Sequence, residues 1–300
     1  MVENTRYARV QASVAPLRTM DGTRVTSLRR SVPSASIEQL FRERHRVMAS
    51  ALSEESRPGL FVFAAHHRYG LVGRLWLEAT AAPRAGLIGR HDGSDLALPL
   101  DEALSLRHLM FVVRRQGSTV RFVALDLESN NGLRLEKGRD VKLVEATGPL
   151  IVSASEFIFF CFPTGRALPW DPTGGDPWST LAPRSASREE LPANVEDGAP
   201  AGRLEVTDAF GIRSTRVGNA ALRRGVLVGR DARCDLRAPD ETVSRVHVVL
   251  LTLDEQLFVI DAGSTNGTWR RDEEIHIGRL GDRDVLELGN FVSLSWHDAQ

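Results

Sequence analysis

Short apolar runs separated by Gly, Pro, Asp and Asn dominate most of the chain. Leu60–Ala65, Leu71–Ala79, Gly86–Gly89, Leu109–Arg114, Val120–Asp126, Val141–Val144 and Glu156–Phe162 each have the length and bounding residues of a β-strand. A second block has the same character: Arg203–Val206, Gly225–Gly229, Val246–Thr252, Leu257–Asp261, and two closely spaced runs within Val285–Trp296. Strands at this spacing, with no helices between them, predict β-sandwiches. One segment departs from the pattern. From Ser36 to about Leu52, the residues Ile37, Leu40, Phe41, Val47, Met48 and Leu52 form an apolar stripe at helical spacing. Ser36 followed by Gln39 has the sequence of a capping box, and Pro58-Gly59 ends the segment.

Two stretches carry no period. Residues 163–200 hold Pro163, Pro169, Pro172, Gly174-Gly175, Pro177, Pro183, Pro192 and Pro200, the composition of a linker. Residues 1–35 carry Arg6, Arg9, Arg18, Arg24, Arg29 and Arg30 against Glu3 and Asp21, and read as a mobile basic arm. The expected architecture is therefore all-β. A basic arm and short helix (1–57) precede one sandwich (58–164), a Pro/Gly-rich linker (165–200) and a second sandwich (201–300). A length of 300 residues suits two domains of about 100–150 residues each.

Composition narrows the class. A hydrophobic fraction of 42% and a charged fraction of 26% are ordinary for a globular protein, and a formal net charge of -1 argues against bulk nucleic-acid binding. The most apolar stretch, Leu150–Phe162, is broken by Ser153, Ser155 and Glu156 and is too short for a bilayer, which needs about 20 apolar residues. The N-terminus has no apolar core of signal-peptide length, so no membrane partner and a cytoplasmic location are expected. Cys161 and Cys234 make neither a disulfide framework nor a four-cysteine zinc site, and read as buried free thiols. The histidines are scattered apart from His66-His67, which a strand would point to opposite faces. No metal or cofactor is expected. Nucleotide, hydrolase and metalloprotease motifs are absent, and the chain is not expected to be an enzyme.

The two strand-rich blocks share three motifs in the same order. Gly89-Arg90 matches Gly229-Arg230 at an offset of 140, and Ser105-Leu106-Arg107-His108 matches Ser244-Arg245-Val246-His247 at 139. Asp126–Gly132 matches Asp261–Gly267 at 135, a drift that fits one longer hairpin around Gln116-Gly117-Ser118 in the first copy. This is a tandem duplication. Gly-Arg, then Ser-Arg-Val-His, then Asp-Ala-Gly-Ser-Thr-Asn-Gly-Thr resembles the forkhead-associated (FHA) domain, a phosphothreonine-peptide-binding β-sandwich. The resemblance covers about residues 201–298 and, by repetition, about 60–163.

The resemblance implies a site for a phosphate of about -1.5 to -2 charges with three acceptor oxygens. In the second copy Arg230 supplies a forked guanidinium, Arg245 a second cation, and Ser244 and Thr265 short hydroxyl donors. Asn266 bonds the backbone of the bound peptide and fixes its register. Gly229, His247 and Gly267 are structural, with His247 bridging two recognition loops. In the first copy Arg90, Ser105 and Asn131 stand at the matching positions, with Gly89, His108 and Gly132 in the structural roles. Leu106 replaces the second cation, Asn130 replaces the threonine, and Leu133 replaces the threonine after the turn. The first copy is thus either a weaker or altered phosphopeptide site or a structural repeat that binds no phosphopeptide.

The implied function is a signalling adaptor that reads phosphothreonine-containing proteins made by a serine/threonine kinase, through the second domain mainly. Two alternatives stand beside it: a purely structural tandem-sandwich interaction protein, and a nucleic-acid-linked regulator using Arg24, Arg29-Arg30, Arg42, Arg44 and Arg46. Tyr7 is the arm's one aromatic residue and no DNA-binding motif accompanies it, which argues against nucleic acid as a partner. Its threonines, Thr19, Thr23 and Thr26, lie among arginines and are candidate phosphorylation sites that could dock onto an FHA-like domain.

Overall fold

A computed structural model describes residues 36–136, 138–181, 188–191 and 200–299. The basic arm and its threonines lie outside the described residues. The helix forms over Ile37–Glu54, with Ser36 as its N-cap accepting the Gln39 N–H at 3.1 Å. Only half of the capping box is made, because the Gln39 side chain donates to Glu43 at 3.0 Å instead of turning back to the cap.

Each strand-rich block folds as a two-sheet sandwich, and the two sandwiches share one strand order. In the first, an outer sheet runs Gly70–Glu78, Gly59–His66, Phe157–Pro163, Leu150–Ala154, Leu133–Leu135 and Asp140–Val141. Its inner sheet runs Leu143–Ala146, Thr119–Asp126, Leu109–Gln116, Arg84–Gly89 and Leu96–Ala97. In the second, the outer sheet runs Gly211–Gly218, Pro200–Asp208, Val292–Asp298, Val285–Leu288, Thr268–Arg270 and Glu273–Glu274. The inner sheet runs Ile277–Arg279, Gln256–Asp261, Val248–Leu253, Val226–Gly229 and Leu236–Arg237.

The duplication explains the drifting offset. The first copy's hairpin pairs Leu109–Gln116 with Thr119–Asp126, eight residues each, whereas the second pairs Val248–Leu253 with Gln256–Asp261, six each. Two extra residues per strand give the four-residue change in offset from 139 to 135.

Strand alternation assigns each side chain to a layer. Leu109, Phe111 and Val113 enter the core of the first sandwich, and Val248 and Leu250 that of the second. The intervening residues Met110 and Val112, with Val123 and Leu125, do not face water. They pack against Leu227, Val249, Leu251 and Ile260 in one apolar layer between the two inner sheets. The two sandwiches therefore share a core. Each large aliphatic side chain buried there contributes roughly 1.5–3 kcal/mol relative to exposure. At one edge of this layer Arg114, itself buried, pairs with Asp254 of the second sandwich and with Glu145 of its own.

The outer face of the first sandwich is covered as well. Along Phe157–Pro163, Phe157, Phe159 and Cys161 point into the sandwich, while Ile158, Phe160 and Phe162 meet Phe41 and Met48 of the helix. Trp170 and Leu181 join this cluster. The segment expected to be a plain linker is thus partly folded. It carries a one-turn helix at Pro177–Thr180, capped by Asp176, which pairs with Arg42 at 2.7 Å. It also carries a strand, Arg188–Leu191, that pairs with Leu143–Ala146 at the edge of the first inner sheet. Enough apolar residues survive between the prolines to dock this segment.

Candidate functional site

Three loops at one end of the second sandwich carry the motif residues. The first follows the strand Val226–Gly229. A Cβ on Gly229 would sit 2.2 Å from the Arg245 carbonyl oxygen and 2.9 Å from that of Ser244, so only glycine allows the strand end to meet the neighbouring loop. Close approach, rather than an unusual backbone angle, is the requirement here. That approach lets the Arg230 N–H bond Ser244 O at 2.9 Å and the Asp231 N–H bond Arg245 O at 3.0 Å. The Arg230 Nε donates to Val243 O at 3.1 Å, so the loop fixes the guanidinium and leaves its two Nη ends as donors for an anion.

The second and third loops are tied to each other through Ser244 and His247. Ser244 Oγ accepts the Thr265 N–H at 3.0 Å and lies 3.4 Å from the Thr265 hydroxyl. The fully buried His247 accepts the Ser244 N–H at Nδ1 and reaches Gly267 O from Nε2, both at 3.1 Å. An N–H only donates and a carbonyl only accepts, so the ring is the neutral Nε2–H form. Burial pushes its pKa below the ordinary value, in the same sense. Asp261 closes the third loop by accepting the Ser264 N–H, the Ser264 hydroxyl and the Thr268 hydroxyl, each at 2.6 Å. Gly267 has φ +77°, which turns the chain back. Asn266 is exposed and donates through Nδ2 to Thr242 O at 2.8 Å. One amide hydrogen and the side-chain carbonyl are then its remaining capacity for a peptide backbone.

The first sandwich repeats most of this scaffold. The Arg90 N–H bonds Ser105 O at 3.0 Å and its Nε donates to Leu104 O at 3.3 Å. Ser105 Oγ accepts the Asn130 N–H at 3.2 Å, and Asn131 donates to Ala103 O at 2.7 Å. His108 accepts the Ser105 N–H and reaches Gly132 O, again both at 3.1 Å. A Cβ on Gly89 would meet Leu106 O at 2.1 Å. Leu106 and Asn130 alter the donors offered to a ligand, whereas Leu133, buried at the position where Thr268 bonds Asp261, removes one bond from the frame itself.

The FHA domain profile matches residues 226–289. The glycogen accumulation regulator GarA of Mycobacterium tuberculosis H37Rv is 30% identical over 112 residues, covering 37% of this chain and 67% of the regulator. This chain belongs to the FHA family. The oxoglutarate dehydrogenase inhibitor of Corynebacterium jeikeium is 28% identical over 128 residues, covering 39% of this chain and 89% of the inhibitor. Among solved structures, an FHA domain studied for phosphothreonine-dependent interactions is 25% identical, covers 33% of this chain and 97% of its own, and has a TM-score of 0.29. The FhaA FHA domain, complexed with the intracellular domain of Rv3910, is 26% identical, covers 32% and 99%, and has a TM-score of 0.28.

Three residues around the FHA loops had no assigned role in the sequence. Asp126 and Asp261 organise the third loop of each copy; the Asp-x-x-Ser spacing in the repeat was the available signal. Arg233 bonds Asp231 through Nε at 3.2 Å and Nη2 at 3.0 Å, and its Nη1 crosses to Asn130 Oδ1 at 3.3 Å. That bond joins the loops of the two FHA copies, and no local motif announces it. Arg245 is exposed and stands near Arg107 of the first copy, whose pKa is lowered mainly by burial and further by this neighbour, against the opposing pull of Asp261. Cys161 and Cys234 are buried free thiols. Burial raises both, Cys234 to about 12, so neither has thiolate character at neutral pH. Among the described residues no group of three or more His, Cys, Asp or Glu is placed to hold a metal, and no helix is long and apolar enough to cross a membrane.

Proposed function

We propose that this protein is a non-enzymatic, cytoplasmic signalling adaptor whose second FHA domain binds phosphothreonine-containing peptides produced by a serine/threonine kinase. One observation carries the reading. Arg230, Ser244, Thr265 and Asn266 lie on loops already bonded to one another, with the Arg230 fork oriented by its own loop before any ligand arrives. A pre-formed cluster of a planar cation, hydroxyls and a register-setting amide matches a phosphorylated side chain on an extended backbone. The regulatory names of the relatives GarA and the oxoglutarate dehydrogenase inhibitor fit the same class.

The first FHA domain is the weaker reader. It keeps the frame and Arg90, and lacks the cation at Leu106 and the hydroxyl at Asn130. Screening the full chain against phosphothreonine, phosphoserine and unphosphorylated forms of one peptide library tests the proposal. Selective retention of phosphothreonine peptides supports it, and equal retention of all three forms refutes it.

A further inference from the structure

Resting on that reading, we infer that Arg233 of the second FHA domain completes the phosphate site of the first, which makes the first site a composite of both sandwiches. The motif alone leaves the first site one cation short, because Leu106 stands where the second copy has Arg245. The shared apolar layer holds the two inner sheets face to face and brings the Asp231–Arg233 loop against the Asn130 turn.

The geometry at that junction is specific. Asn130 occupies the position of Thr265, and its N–H is bonded to Ser105 Oγ, the hydroxyl expected at the phosphate. Its side-chain oxygen accepts from Arg233 Nη1 at 3.3 Å. That bond settles what the amide offers a ligand. With the carbonyl end engaged, the remaining capacity of Asn130 is its two N–H donors, the polarity an anion needs. Nη1 itself carries two hydrogens, so it holds Asn130 and a phosphate oxygen together. Asp231 grips the other side of the guanidinium through Nε and Nη2. The fork is thereby pre-oriented, which lowers the entropy lost on binding. The nearby acidic groups are Asp231 and Glu128, and Glu128 is itself paired with Lys142 at 2.5 Å. Arg90 and Arg233 supply the opposing charge around the first site.

The test uses the full chain, because the shared core makes each half an incomplete folding unit. Arg230→Ala removes the second site, and the residual binding of a phosphothreonine peptide from the screen is titrated by calorimetry. Adding Arg90→Ala should abolish this residual binding. Adding Arg233→Ala should weaken it at least about tenfold, the loss of one charge-assisted bond, and flatten its salt dependence. Arg233→Lys should retain most of it. Leu106→Arg, which restores a cation within the first domain, should rescue the Arg233→Ala chain; a merely structural loss would not be rescued in this way. Residual binding unchanged by Arg233→Ala, no rescue by Leu106→Arg, or no residual binding in the Arg230→Ala chain each overturns the composite site. A wild-type chain that binds no phosphopeptide refutes the proposed function itself, a separate outcome.

Discussion

His247→Ala is the sharpest probe of how the recognition loops are held. The imidazole is fully buried and makes two bonds of 3.1 Å, one from the Ser244 N–H and one to Gly267 O. Alanine leaves both backbone groups without their partner. An unsatisfied buried polar group costs about 1–3 kcal/mol, so the pair predicts a loss of roughly 2–6 kcal/mol before any cavity term. His108→Ala removes the same two bonds at the same distances in the first copy and should cost a similar amount. His276, which is exposed, is the control, and His276→Ala should change stability by no more than ~0.5 kcal/mol. The assay is urea unfolding of the full chain followed by tryptophan fluorescence, with slopes compared to confirm that stability and not compactness has changed. A His247→Ala chain that unfolds with wild-type stability refutes the bridging role. If such a chain also loses peptide binding, direct ligand contact by the ring is favoured.

The remaining predictions address pH, packing and the interface. His66, His108 and His247 all have pKa values lowered by burial, so the unfolded chain binds their protons more tightly than the folded one. Stability should therefore be full above about pH 6.5 and fall as pH drops through the unfolded histidine value; unfolding midpoints that stay flat from pH 7.5 to 5.5 contradict this. Gly229→Ala places a methyl 2.2 Å from backbone oxygen, which cannot swing aside, and should cost about 1–3 kcal/mol and weaken peptide binding together; wild-type behaviour in both refutes the close-approach argument. Cleavage at a protease site inserted between Leu191 and Pro200 should leave the halves associated on size exclusion, because the layer containing Leu125 and Leu251 still joins them. Separation into two monomeric halves would show that this layer is too weak to hold the sandwiches together.

The sandwiches were legible because their strands announce themselves by short apolar runs and their loops by the repeated motifs. The shared core was less legible, although its signal was present. Leu109-Met110-Phe111-Val112-Val113 and Val248-Val249-Leu250-Leu251 are apolar at every position, whereas a strand with one wet face alternates. Such runs state that both faces are covered, but not by what. The polar edge strand Gly211–Gly218 was missed for the opposite reason: Arg213, Ser214, Thr215 and Arg216 carry no apolar alternation, and pairing with Pro200–Asp208, the Arg213–Asp208 ion pair and the buried Val217 side chain hold it in the sheet. The folded part of the linker was hidden by its prolines, which outweigh Trp170 and Leu181 in any compositional reading. For the site, the residues of each copy could be placed from the motifs. The bond from Arg233 to Asn130 could not, because its partners are 103 residues apart and meet only when the inner sheets dock.

The proposed function rests on the second FHA domain holding a phosphothreonine through Arg230. Isothermal titration of the full chain with one library-selected peptide, in phosphothreonine, phosphoserine and unphosphorylated forms, tests it most directly when repeated on Arg230→Ala. Tight binding is expected of the phosphothreonine form only, weakened by added salt. In the Arg230→Ala chain the affinity should fall by at least about 10–150-fold, the equivalent of losing one charge-assisted hydrogen bond, with circular dichroism unchanged. Equal affinity for the phosphorylated and unphosphorylated peptides, or an undiminished affinity in a folded Arg230→Ala chain, would contradict it.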